Sequence, residues 1–170
     1  TGAIRYQWQR SSNAGGTWSD IAGASGVTYV LAQTEVGNIV RAQARYVDNQ
    51  GTSEAVASVA TATVANVNDA PVVNRLTTAQ NAVVGFEFNY VLPANAFVDP
   101  DAGSVLTYTA TLSSGAALPA WLTWNASERR LSGTAPTTEG GKSYGVKITA
   151  RDAAGLSAES TFSVMVFNPT

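Results

Sequence analysis

The chain contains no cysteine and no histidine. The first absence excludes disulfides and thiol nucleophiles. The second excludes Ser-His-Asp triads and His-based zinc hydrolysis, and together they exclude zinc fingers. Charge is scarce as well: 13% of residues are charged, 10 basic against 12 acidic, for a formal net charge of -2. Such a balance gives no basic face for nucleic acid and no polybasic anchor for a membrane surface. No apolar run approaches the roughly 20 residues that insertion into a bilayer needs. No secretion leader is visible, and the chain reads as an internal piece of a longer protein. Its 170 residues suffice for one large domain or two small ones, each with a core of its own.

What is present is alternation. Ile4, Tyr6 and Trp8 fall on one face of a strand and Arg5, Gln7 and Gln9 on the other. Asn38 to Asp48 alternates in the same way through Val40, Ala42, Ala44 and Tyr46. "SVATATVANV", "FEFNYVL", "VLTYTATL", "YGVKITARD" and "STFSVMVF" read as further strands, rich in β-branched and aromatic residues. Turn signals such as "NAGG", "DNQG", "DAGS" and "DAAG" separate them. The stretch Ala32 to Gly37 is expected to make one short helical turn, and no amphipathic helix is found. Many short strands with polar turns predict an all-β protein built from sandwiches.

A boundary falls at "NVNDAP" (Asn66 to Pro71), which holds two asparagines, an aspartate and a proline but no glycine. The expected division is residues 1–66, a linker 67–70, and residues 71–170. A sandwich of this type takes roughly 100 residues, so the first unit is expected to lack its N-terminal strands. The aromatics are assigned to cores: Trp8, Tyr6, Tyr29 and Tyr108 inward, Trp18 over a core edge. An exposed Trp124 would favour a sugar site.

The linker raises a chemical question, because flexible linkers are usually Gly- and Ser-rich. Asn66, Asn68 and Asp69 supply oxygens there. Asp99 and Asp101 in "VDPD" are two residues apart and share one side of an extended chain. Pro100 between them removes a ladder donor and places the pair at a strand end. Asp152 ends the "YGVKITARD" strand. Asp48, Glu54 and Glu35 lie at other loop mouths. Hard oxygens in such number suit Ca2+, which takes six to eight of them. Ordinary Asx turns with solvated carboxylates are the other reading of the same residues. A pair of carboxylates can also hydrolyse glycosides, but Asp99 and Asp101 sit in a loop with no apolar surroundings to raise one pKa. No phosphate-cradling glycine loop follows a strand, so the chain is not expected to be an enzyme.

Two resemblances sharpen this. Residues 4–70, through "YQWQRSSNAGGTWSDIAGASGVTYVL", "TEVGNIVRAQARYVDNQGTSE" and "VANVNDAP", resemble the immunoglobulin-like repeats of giant bacterial surface adhesins of the RTX type. Residues 71–170, through "FVDPDAGSVLTYTATL", "LPAWLTWNASERRLSGTAP" and "YGVKITARDAAGLSAESTFSVMV", resemble a dystroglycan-type cadherin-like domain. The resemblances imply two tandem immunoglobulin/cadherin-like Greek-key β-sandwiches in an extracellular chain at a bacterial cell surface. They imply calcium held by Asp99, Asp101, Asp152, Asp69, Asn68, Asn66, Asp48, Glu54 and Glu35, stiffening the joint between domains. In this linker Asn66 stands where the cadherin form opens with an aspartate. Implied partners are neighbouring adhesin domains and a second copy of the chain. The alternative reading is calcium-dependent binding of a carbohydrate or peptide, in an adhesin or in a secreted polysaccharide-degrading enzyme.

Overall fold

The computed structural model describes residues 2–169, and the chain divides into two compact units, Thr1–Val67 and Asn68–Thr170. The first unit holds four strands: β1 (Arg5–Ser11), β2 (Ser19–Asp20), β3 (Ile39–Val47) and β4 (Ser53–Ala57). They form one antiparallel sheet in the order β2-β1-β3-β4. Residues 33–35 make a single 3-10 turn, as the short helical stretch required. β1 pairs with β3 so that Tyr6 faces Ala44, Trp8 faces Ala42 and Arg10 faces Val40. On that face Trp8, Tyr29 and Val64 pack against buried Ile21, Ala24 and Val40. Ile4, expected inward, is instead 52% exposed and precedes β1.

The expected strand at 58–67 does not form. β4 ends at Ala57, yet Ser58, Thr61 and Val64 still donate their N–H groups to the carbonyls of Ala42 and Val40 in β3 and of Asn38 just before it. In return, the Ala42 and Val40 N–H groups donate to the hydroxyls of Ser58 and Thr61, each at 3.0 Å. Side-chain oxygens thus take the place of ladder carbonyls, which is how Ser and Thr compete with regular structure.

The second unit is a two-sheet sandwich. Its strands are β5 (Val72–Val73), β6 (Gln80–Val83), β7 (Glu87–Val91), β8 (Phe97–Val98), β9 (Thr107–Leu112), β10 (Leu122–Asn125), β11 (Arg130–Thr134), β12 (Ser143–Arg151) and β13 (Ser157–Phe167). One sheet runs β6-β13-β12-β9, with β6 parallel to β13; the other runs β10-β11-β7; β5 and β8 pair separately. The period of two holds: β12 buries Val146, Ile148 and Ala150, and β13 buries Ser160, Phe162, Val164 and Val166. Leu92, Leu122, Leu131 and Phe88 close the core from the other side. Trp121 packs inward between Phe88 and Tyr144, with ring centroids 6.4 and 6.2 Å away.

Leu131 is fully buried at the centre of this core. Leu131→Ala should therefore cost about 3 kcal/mol, from lost transfer energy plus the cavity left behind. A urea titration should show this as a lower midpoint at unchanged slope.

Candidate metal centre

The acidic loop residues of the second unit are placed by its strand ends. β8 delivers the chain into Asp99-Pro100-Asp101, which turns back at Gly103. The Asp99 carboxylate accepts the Asp101 N–H at 2.9 Å and the Ser104 hydroxyl at 2.8 Å. β12 ends at Arg151, and Asp152 closes the turn to β13 by accepting the Leu156 N–H on Oδ1 at 2.8 Å. Asp101 and Asp152 are both buried.

The two residues that open this unit join these loops. Asn68 donates its side-chain amide from Nδ2 to Asp152 Oδ2 at 2.8 Å. Asp69 donates its backbone N–H to Asp101 Oδ2, also at 2.8 Å. Buried Pro71 follows and commits the chain to β5. Consecutive residues thus reach the carboxylates of two loops that are 51 positions apart in sequence (152 − 101). The Asn68 amide is the main cause that holds the Asp152 carboxyl below the ordinary carboxylate range. Burial works against it, and the N–H groups of Leu156, Gly155 and Ala154 work with it. A cavity of about 440 Å³ borders the Asp99–Ser104 loop, with Tyr108 and Leu106 in its wall.

The donor set fits calcium in kind: hard oxygens, the four carboxylates of Asp69, Asp99, Asp101 and Asp152, and an amide oxygen that a turn of the Asn68 side chain would present. It is not a finished cage. Among the described residues no three acidic side chains are gathered around one point. Their charge is met instead by N–H and O–H donors.

Of the four residues expected from the first unit, Asn66, Asp48 and Glu35 are hydrogen-bonded within that unit and Glu54 is exposed. Asn66 Oδ1 accepts from Gln33 Nε2 at 2.8 Å. Asp48 Oδ1 caps its own turn through the N–H groups of Gln50 and Thr52, each at 2.8 Å. Glu54 is exposed on β4, in register with Tyr46. Glu35 differs most from expectation, because it is fully buried. Its Oε1 accepts from Arg10 and Thr34, and its Oε2 from the Tyr29 hydroxyl and the Ala32 N–H. Its place in "TEVG", within the short stretch Ala32 to Gly37, reads as that of a loop ligand. Only the folded chain shows Tyr29 and Arg10 arriving over it.

Burial pushes the Glu35 carboxyl up, but Tyr29, Thr34, Ala32 and the Arg10 charge outweigh it and hold the pKa below its usual 4.5. A depressed pKa gives stability that is present above the unfolded value and is lost as pH falls through the folded one. The wild-type first unit should therefore weaken below about pH 4.5, and Glu35→Ala, which loses about 2 kcal/mol near neutral pH, should approach it at low pH. Amide exchange followed across that range checks both parts.

Trp124, the residue that would have marked a sugar platform, is half-buried against the core and donates from Nε1 to the Tyr108 carbonyl at 3.3 Å. Trp18 lies under the Arg41 guanidinium, 4.1 Å from its ring centroid.

Residues 70–167 match the family model described as "Putative Ig domain". No curated protein sequence matches the chain. Among solved structures, the protocadherin gammaB7 EC3-6 cis-dimer is 18% identical at a TM-score of 0.54, covering 96% of this chain and 40% of that one. Mouse cadherin-23 EC22-24 is 15% identical at a TM-score of 0.53, covering 96% of this chain and 53% of that one. A nucleoside hydrolase-related hypothetical protein of Saccharophagus degradans, associated with carbohydrate metabolism, is 26% identical over 58% of this chain and 26% of that one. Its TM-score is 0.44. This chain spans from about a quarter to about half the length of these proteins. The cadherin likenesses show the fold, which is all-β and immunoglobulin/cadherin-like. No helix among the described residues is long and apolar enough to cross a membrane.

Proposed function

The chain belongs to the family described as "Putative Ig domain", and on that premise we propose that it is a calcium-binding, non-catalytic module of a large bacterial cell-surface adhesin of the RTX type. Within it, residues 71–170 act as a dystroglycan-type cadherin-like domain and residues 1–66 as part of an immunoglobulin-like adhesin repeat. The observation that carries the reading is the pair of bonds from Asn68 to Asp152 and from Asp69 to Asp101. They bring the segment after the first unit onto the buried carboxylates of the second.

Calcium would be held by Asp99, Asp101 and Asp152, with Asn68 and Asp69 completing the set. Bound there, the ion neutralises carboxylates and orders the segment that joins the two units in the chain. Asp99 and Asp152 shape their loops through their own backbone and hydroxyl bonds. Asp101 and Asp152 receive the linker. A cation there would offset the cost of burying these two negative charges. Glu35, Asp48, Glu54 and Asn66 stand outside the proposed set, since their oxygens serve the first unit or solvent.

The test is a calcium titration of the full chain by calorimetry, on the wild type, Asp101→Ala, Asp152→Ala and Glu128→Ala. Glu128 is exposed and pairs with Arg130. Binding that is lost in the first two variants and kept in the third supports the site; binding that is equal in all four, or absent from the wild type, removes it. Small-angle scattering on the same samples measures mass, and a doubled mass would identify self-association as part of the function.

A further inference from the structure

Among the described residues, every strand pair of the second unit but one is antiparallel. The exception is β6, which runs parallel to β13 with Gln80 opposite Val164 and Val83 opposite Phe167. The pairing continues past both ends of β6. Beyond it, the Val84 N–H donates to the Phe167 carbonyl at 2.9 Å. Before it, the hydroxyls of Thr77 and buried Ser160 are hydrogen-bonded at 3.0 Å. Residues 77–84 are thus tied along residues 160–167.

The chain enters β6 at its N-terminal end and leaves β13 at its C-terminal end. In a parallel pair those two points lie at opposite ends of the ladder. Tension carried by the backbone therefore draws the strands in opposite directions along their common axis, and all the bonds between them are loaded together. In an antiparallel pair the two points would lie side by side, and the same tension would part the bonds one after another. Sliding meets a second obstacle. Ala82 of β6, Val84 just beyond it, and Val164 and Val166 of β13 are all in the core. Side chains alternate with a period of two, so a slip of one residue turns the apolar set of β6 out of the core. β13 is itself fixed by nine residue pairs with β12.

We propose that the second unit is a load-bearing element, and that the parallel β6–β13 pair is the clamp that sets the force at which it unfolds. This rests on the surface-adhesin reading only for the source of the tension, which arises when such a chain is fixed to a cell at one end and attached elsewhere at the other. The clamp itself needs no calcium. Forced unfolding is governed by the unfolding rate and not by equilibrium stability. One fold can therefore hold tension in one direction and yield in another.

The experiment pulls single molecules of the full chain in two directions, in chelator. The sequence has no cysteine, so two introduced cysteines are the only thiol handles. Ala79→Cys with Pro169→Cys loads β6 against β13 in shear. Ser143→Cys with Pro169→Cys grips the start of β12 and the end of β13, which lie side by side, and unzips that pair. All three positions are exposed. Both variants should melt with the wild type. At one loading rate the shear direction should need about two to four times the force, because four residue pairs with evenly spaced bonds share the load. Leu76→Cys in place of Ala79→Cys, also at an exposed position, should give the same order even if a handle at residue 79 disturbs β6. Equal forces in the two directions, or the lower force in shear, would overturn the proposal. A chain that fails the calcium titration but keeps the force ratio loses the metal site and retains the clamp; one that binds calcium and unfolds at equal forces does the reverse.

Discussion

Gly133→Ala is expected to unfold the second unit at temperatures where the wild type is intact. Gly133 pairs with Leu122 across β10 and β11. A Cβ placed on it would stand 1.7 Å from the Trp121 carbonyl oxygen and 2.9 Å from its carbonyl carbon. Those are backbone atoms, so no side-chain rotation relieves the clash. Either the β10–β11 pair separates or Trp121 leaves its place between Phe88 and Tyr144. The cost should reach at least about 3 kcal/mol, the upper range for overpacking. For a domain of this size that lowers the melting temperature by roughly 12–24 °C. Gly115→Ala is the control. Its φ is +88°, but a Cβ there meets nothing within 4 Å. It should cost only the backbone penalty, about 1 kcal/mol. Equal losses in both variants would show that backbone conformation, and not close approach, sets the effect.

The second large expected effect follows from the proposed calcium site. The unfolded chain has no assembled site, so all the binding free energy adds to stability. At a free concentration of about 100 times Kd this is about 2.7 kcal/mol, a rise of roughly 10–20 °C for a domain near 100 residues. Scanning calorimetry with excess calcium and with chelator measures it. The gain should appear in the transition of the second unit, where Asp99, Asp101 and Asp152 lie. Asp101→Ala and Asp152→Ala should melt alike in both conditions. In chelator, the wild type should still show protection at the Asp69 amide, because that N–H is donated to Asp101 without an ion. A melting temperature that ignores calcium would leave these residues as loop-forming hydrogen-bond acceptors.

Much of the fold was written in local pattern. Alternation in β1, β3, β7, β9, β12 and β13 announced strands, because a period of two is what a sheet with one buried face demands. The linker stood out because asparagine, aspartate and proline resist both helix and sheet. Three results needed the folded chain. The 58–67 segment alternates like a strand, yet the Ser58 and Thr61 hydroxyls accept the neighbouring N–H groups, and that competition depends on which chain lies alongside. Glu35 reads as an exposed loop acid, yet it is buried because Tyr29 and Arg10, six and 25 positions away, converge on it. The parallel β6–β13 pair is invisible in sequence, since residues 80–83 and 164–167 meet only through topology.

The candidate metal centre divides in the same way. The sequence by itself determined the chemistry on offer: no thiolate or imidazole ligand, and oxygens clustered at 68–69, 99–101 and 152. Residue type alone sets that. Tertiary structure decided which of those oxygens share a place. Strand order in the second unit brings the loop after β8 and the loop after β12 to the residues that open it. Asp101, Asp152, Asn68 and Asp69 therefore join one hydrogen-bonded network, whereas Glu35, Asp48, Glu54 and Asn66 are bonded or exposed within the first unit. Proximity across such distances in sequence is a property of topology, and no local signal encodes it.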